Sequence, residues 1–237
     1  MNPHTTNTPR TSKHPALRIA FVLVITLFAL HTINAQQLQK GVSVQLATTT
    51  GAGSVPEADN ADAWIVTVTE NNGLYFGVDP VTPQGLSEAM KVRPRTRGQE
   101  LFVKADGRAS FATVAQVLKA AHADLFDRAV LLTGQSSGAQ PGTMVPPKGL
   151  PLWIGSAAVP EAVVVEIGPS QGSPALKIDN AEVPLKDLQH KLELLLRNRT
   201  DRVVVLKAGQ VSFADVAHVV DVCNMSAAKP VLATPTL

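Results

Sequence analysis

The chain has 237 residues, with 21 Lys and Arg set against 19 Asp and Glu, for a formal net charge of +2. That length allows one or two domains, and the even scatter of charge excludes a polycationic tail or stripe of the kind that binds nucleic acid. The lone Cys223 excludes an intrachain disulfide and is neutral on compartment.

Arg10, Lys13 and Arg18 precede an uncharged, largely apolar run from Ile19 to Leu30, and the first acidic residue is Glu57. This asymmetry keeps the start of the chain cytoplasmic and exports the remainder. Two readings of residues 1–35 stand. One is a signal peptide with an apolar core of about 12 residues, cleaved after Ile33-Asn34-Ala35; the other is a short membrane anchor, extended through His31 to Ala35, measured against the roughly 20 residues a span needs. His31, the one ionisable group in the run, reads as part of the cleavage region. Residues 36–62, polar and rich in Thr, Gly and Ala, read as a tether carrying one loose strand at Val42, Val44 and Leu46.

From residue 63 the pattern becomes regular. Trp64 to Thr69 alternates apolar residues with threonine, Asn71-Asn72-Gly73 supplies left-handed backbone for a hairpin, and Leu74 to Val78 returns as a strand. Thr82 to Lys91 places Leu86, Ala89 and Met90 on one helical face before Pro94, and Leu101 to Val103 is a short strand. Ser110 stands at the N-cap of a helix whose face carries Phe111, Val114, Val117, Leu118 and Ala121, and Ala129 to Thr133 is a final strand. Gly134 to Pro151 concentrates Gly, Ser and Pro and reads as a linker.

The second half repeats this order. Ala162 to Ile167 and Ala175 to Ile178 read as strands, Leu185, Leu188, Leu192, Leu195 and Leu196 line one helical face, and Val203 to Leu206 is a strand. Ser212 and Asp215 have the spacing of a capping box ahead of the stripe Phe213, Val216, Val219, Val220 and Cys223; Val231 to Thr234 closes the unit. KADGRASFATV from Lys104 and KAGQVSFADV from Lys207 are two statements of one motif. A fixed repeat bounds the fold. The expected class is α+β: two tandem two-layer α/β sandwich domains, each β-β-α-β-α-β with a mixed sheet and two helices on one face, at residues 63–134 and 152–237, joined by a linker at 135–151 and preceded by an N-terminal hydrophobic helix. Sheet edges of this kind accept an extended peptide as a further strand.

Candidate functional residues are few. Arg93, Arg95 and Arg97 follow the first helix of one half, and Arg197, Arg199 and Arg202 occupy the counterpart stretch of the other; such loops dock anionic partners or stand solvated. Asp106 ends a strand, where it contacts a partner or satisfies local amides in a turn. Phe111 and Phe213 recur at matching positions and read as core. Gly134 to Gly138 satisfies Gly-x-Ser-x-Gly around Ser136, yet Ala139-Gln140-Pro141-Gly142 continues as linker where a nucleophile elbow needs a helix, which argues against an exported hydrolase. His218 and Asp221 share a helical face while Cys223 turns to the core, an incomplete metal set. No catalytic group, cofactor or metal is expected.

In order, the cationic tip, the hydrophobic segment, Val81-Thr-Pro-Gln-Gly-Leu86, Leu101-Phe-Val-Lys-Ala-Asp106, Ser110-Phe-Ala-Thr-Val114 and Val130-Leu-Leu-Thr133 resemble the ExbD/TolR biopolymer transport family. Val183 to Leu188 and Lys207 to Val216 repeat part of this, without a counterpart of Asp106. The resemblance implies a non-enzymatic accessory protein, the periplasmic part of a proton-motive-force-linked, TonB-dependent transport system. It implies binding to TonB-like or ExbB/TolQ-like envelope proteins or to a second copy, and a location at the inner membrane facing the periplasm, or soluble in the periplasm if the leader is removed. Asp106 then matches the family's strand-end aspartate. The family's membrane aspartate has no counterpart, since Ile19 to Ala35 lacks Asp and Glu, so a proton-coupling role does not carry over. The alternative is a structural module that holds peptidoglycan through its basic loops.

Overall fold

A computed structural model describes residues 41–96, 98–135, 147–155, 161–169 and 172–233. The leader, its cleavage site, Arg97 and Ser136 lie outside the described residues. Everything described belongs to one compact unit, which extends from Leu38.

The elements, in chain order, are β1 Thr48–Thr49, β2 Gly53–Ser54, a 3-10 turn Pro56–Asp59, β3 Trp64–Val68, β4 Leu74–Phe76, β5 Asp79–Val81, α1 Pro83–Val92, β6 Leu101–Ala105, α2 Phe111–Ala123 and β7 Arg128–Gln135. There follow β8 Lys148–Gly155, β9 Val163–Gly168, β10 Ala175–Ile178, β11 Ala181–Glu182, α3 Leu185–Leu196, β12 Val203–Ala208, α4 Phe213–Met225 and β13 Lys229–Ala233. The strands form one mixed sheet in the order β11-β10-β9-β12-β13-β8-β7-β6-β3-β4-β5. Read outward from β8, the order β7-β6-β3-β4-β5 on one side is matched by β13-β12-β9-β10-β11 on the other.

Alternation sorts the side chains. Trp64, Val66 and Val68 of β3, and Leu101, Val103 and Ala105 of β6, join the main core beneath the helices, while Ile65 and Phe102 face the other way into a small cluster with Ala58, Ala63, Val130 and Leu132. The main core is continuous across both halves, since it also contains Leu150, Leu152 and Ile154 of β8 and the buried stripes of all four helices. The result is a helical layer on one face of the sheet. Pro83 at the start of α1 and the Thr82 hydroxyl accepting from the Gly85 amide at 3.0 Å explain why the helix begins there.

Several expectations change. Each half carries a third meander strand, β5 or β11, too short to register as a pattern in the sequence. The stretch expected as a linker enters the sheet: β8 pairs antiparallel with β7 from Arg128↔Trp153 to Thr133↔Lys148 and parallel with β13. Its Pro151 is exposed, and Leu150 and Leu152 supply the burial that composition alone hid. The halves are therefore joined edge to edge in one sheet. The segment expected as a tether is also built in, with β1 alongside the end of β7, β2 alongside β8, and Leu46 bridged to Asp106.

The outer edges are blunt. β5 contains Pro80, which has no amide to offer, and β11 is two residues long. Open rims for strand addition were expected; the unpaired backbone there is short.

Candidate functional site

The two copies of the repeated motif meet. Ser110 and Ser212 face each other in an antiparallel bridge, with the Phe111 amide donating to the Val211 carbonyl at 3.0 Å and the Phe213 amide donating to the Ala109 carbonyl at 2.8 Å. These are reciprocal bonds between equivalent positions, and they satisfy the first amides of α2 and α4. Ser212 and Asp215 make the expected capping box. The Ser110 hydroxyl makes no cap bond; the Thr113 amide donates to the Ser110 carbonyl at 3.1 Å, and the Ser110 amide donates to Asn72 Oδ1 at 2.9 Å. Asn72 takes positive φ in the hairpin turn, as the Asn-Asn-Gly sequence requires. A cleft of about 550 Å³ lies at this joint, lined by Asn72, Arg108, Gln210 and Asp215 among others.

Asp106 sits beside the joint, only 3% exposed. Its carboxylate accepts from the Gln45 amide at 3.0 Å, from the Arg108 amide at 3.0 Å, and from Arg108 Nε and Nη2 at 2.9 and 3.1 Å. Burial pushes the carboxyl up, yet the Arg108 guanidinium, the two amides and the Arg108 charge together hold it below the usual carboxylate range. Arg108 is shared with Glu70 at 2.9 Å. Asp106 thus closes its own turn and fastens the incoming strap.

A second carboxylate fastens the same strap. Asp221 of α4, 5% exposed, accepts from the Thr50 amide at 2.9 Å, the Thr50 hydroxyl at 3.2 Å and the Gly51 amide at 3.0 Å. His218 Nε2 lies 3.0 Å from the Thr48 carbonyl oxygen. A Cβ at Gly51 would stand 2.6 Å from Met225 Cγ and 2.9 Å from Asp221 Oδ1, so a side chain there would have to displace both. His218 and Asp221, considered as metal ligands from their spacing, therefore hold backbone. Cys223 is buried, which pushes its thiol up to about 12. Among the described residues no group of three or more His, Cys, Asp or Glu could hold a metal ion.

The arginine loops divide by role. Arg93 Nη2 donates to the Asp62 and Ala63 carbonyls at 3.1 and 3.3 Å, and its guanidinium lies 5.3 Å from the Trp64 ring centroid and 5.1 Å from that of Phe76. Arg95 Nη1 donates to the carbonyl of Asp124, the C-cap of α2, at 2.9 Å, and stacks 4.3 Å over Phe126. Arg202 does the same for α4, donating to the carbonyl of its C-cap Ser226 at 2.7 Å. A cation from the loop after the first helix closes the last turn of the second helix in each half. Arg197 and Arg199 are exposed. The structure gathers Arg93 and Arg95 on one aromatic corner and keeps Asp106 and the second arginine group apart from it.

Sequence reasoning named Asp221 only as a metal candidate and Asn72 only as a turn residue, missing their bonds to the strap and to Ser110, and it missed the corner of Trp64, Phe76 and Phe126, whose rings pack at 5.3 and 5.5 Å. The only signal was the rarity of aromatics in the chain.

The fold is a two-layer α/β scaffold whose buried polar groups tie its segments together. Residues 5–136, more than half of the chain, match the family described as biopolymer transport protein ExbD/TolR, and the chain belongs to that family. No curated protein and no solved structure matches it. Members are non-enzymatic accessory proteins of biopolymer transport that work with ExbB/TolQ-type and TonB/TolA-type proteins and are typically anchored in the inner membrane with a periplasmic domain. Among the described residues no helix is long and apolar enough to cross a membrane.

Proposed function

We propose that this protein is the periplasmic arm of a proton-motive-force-linked, TonB-dependent transport system, acting by binding protein and carried on two copies of one α/β unit fused through β8. The observation that carries the reading is the family match over residues 5–136, which takes in both the cationic, then apolar leader and the first half of the sheet. The strap supports it: residues 45–54, which precede the regular part of the sheet, are clamped to it by Asp106 and Asp221, so the N-terminal side of the folded unit is fastened by hydrogen bonds. The contribution is mechanical coupling and docking. Exposed Arg197 and Arg199 offer the partner two cations on one loop, suited to an acidic surface.

The test is co-purification of the full-length chain from membranes of its own bacterium. Recovery of an ExbB/TolQ-type channel subunit or a TonB/TolA-type transducer, reduced by Arg197→Gln with Arg199→Gln, is the expected result; a chain that co-purifies with neither overturns the reading. The same exposed pair favours a second reading, a module held on peptidoglycan. Retention on purified sacculi that disappears with the two substitutions would select it.

A further inference from the structure

The aromatic corner borders an open pocket of about 330 Å³, lined by Trp64, Arg93, Arg95, Asp124 and Phe126 among others. Two of these residues hold polar atoms that are buried without a hydrogen-bond partner among the described residues: the indole Nε1 of Trp64, a residue only 2% exposed, and Oδ2 of Asp124. A buried donor or acceptor left unmade is disfavoured and calls for an explanation. Here the residues that carry one of each line the same pocket.

The two guanidiniums on this wall add a second demand. Neither Arg93 nor Arg95 forms an ion pair among the described residues; their recorded hydrogen bonds are to carbonyls, through one terminal nitrogen each. A guanidinium has five N–H donors in a planar fork suited to a carboxylate. Stacking on Trp64, Phe76 and Phe126 holds both forks in place before any guest arrives. The other half supplies an internal comparison. Arg202 repeats the C-cap contact of Arg95, but Val163 and Ala228 occupy the positions of Trp64 and Phe126, so the aromatic floor and the indole donor belong to the first half alone.

We propose that this pocket binds a small ligand that carries a free carboxylate beside an N–H donor, namely an amino acid or the C-terminal residue of a short peptide. The carboxylate is taken by Arg93, Arg95 and the Trp64 indole N–H, and the ligand's ammonium or amide N–H donates to Asp124 Oδ2. The inference goes beyond the transport role and does not depend on it.

The experiment uses the full-length chain with Trp153→Phe, which leaves Trp64 as the sole tryptophan, and follows its fluorescence and indole N–H resonance during titration with alanine, dialanine, N-acetylalanine and alaninamide. Alanine or dialanine should give a saturable shift, the tighter of the two telling a free amino acid from a peptide end, while alaninamide, lacking the carboxylate, gives none. Arg95→Gln should weaken binding by about tenfold or more, the loss expected for a charged hydrogen bond. Arg202→Gln, its counterpart outside the pocket, should leave affinity unchanged. Asp124→Asn keeps an acceptor but loses the charge, so it should weaken alanine, which offers an ammonium, more than N-acetylalanine, which offers only an amide N–H, a difference that a purely structural role would not produce. No saturable shift with any probe, a water-filled pocket only, overturns the proposal, as does equal binding of alaninamide.

Discussion

Asp106 keeps a charge inside the protein because four N–H groups point at it, two from backbone and two from Arg108. Its folded value lies below the ordinary 3.8, so the stability it contributes is present above that value and is lost as pH falls through the folded one. Asp106→Asn should cost about 1–3 kcal/mol near neutral pH, the range for a buried acceptor set left partly unmade. In urea unfolding followed against pH, the gap from wild type should close below 3.8; a gap independent of pH would remove the charge from the explanation. Cys223 makes a simpler case. With its thiol buried and raised to about 12, it should resist alkylating reagents in the native state and react only once the protein unfolds. That Asp106 closes a turn was readable from its place after a strand; that it holds Gln45, 61 residues away, was not, because a backbone amide leaves no trace in side-chain pattern.

The strap from Gln45 to Ser54 has almost no secondary structure of its own, yet Ala47, Thr49 and Ala52 are buried. It is held from outside, by Asp106 at one end and Asp221 at the other. Asp221→Ala would strand two amides and a hydroxyl, which should destabilise the protein by about 2–3 kcal/mol. The amides of Thr50 and Gly51 should exchange with solvent faster than those of β3, measured by hydrogen exchange; equal protection of strap and sheet in the variant would show that other contacts suffice. Periodicity identified the four helices and the longer strands here because each has enough residues to show its period. Two- and three-residue strands such as β1, β2, β5 and β11 carry no period, and their pairing partners decide them. Leu150 and Leu152 of β8 show the same effect from the other side: a true alternating pattern, masked by Gly149 before it and Pro151 within it.

At the scale of the whole molecule, a core continuous from α1 to α4 predicts one cooperative unfolding transition, with calorimetric and van't Hoff enthalpies equal over the unit beginning near Leu38. Leu152→Ala, at a fully buried position on β8, should cost about 2–5 kcal/mol and lower a single melting transition without splitting it. Two separate transitions would mean that the shared sheet does not couple the halves. The repeat itself was legible in the sequence, while the way its halves join was not, since that depends on β8 lying antiparallel to β7 and parallel to β13. That central strand has one more effect. Were the halves separate molecules, the flanks of β7 and β13 would be exposed ladders on which copies could polymerise. With β8 threaded between them, the polypeptide terminates its own stacking from within, and what it presents at both rims is a proline-bearing strand and a two-residue stub.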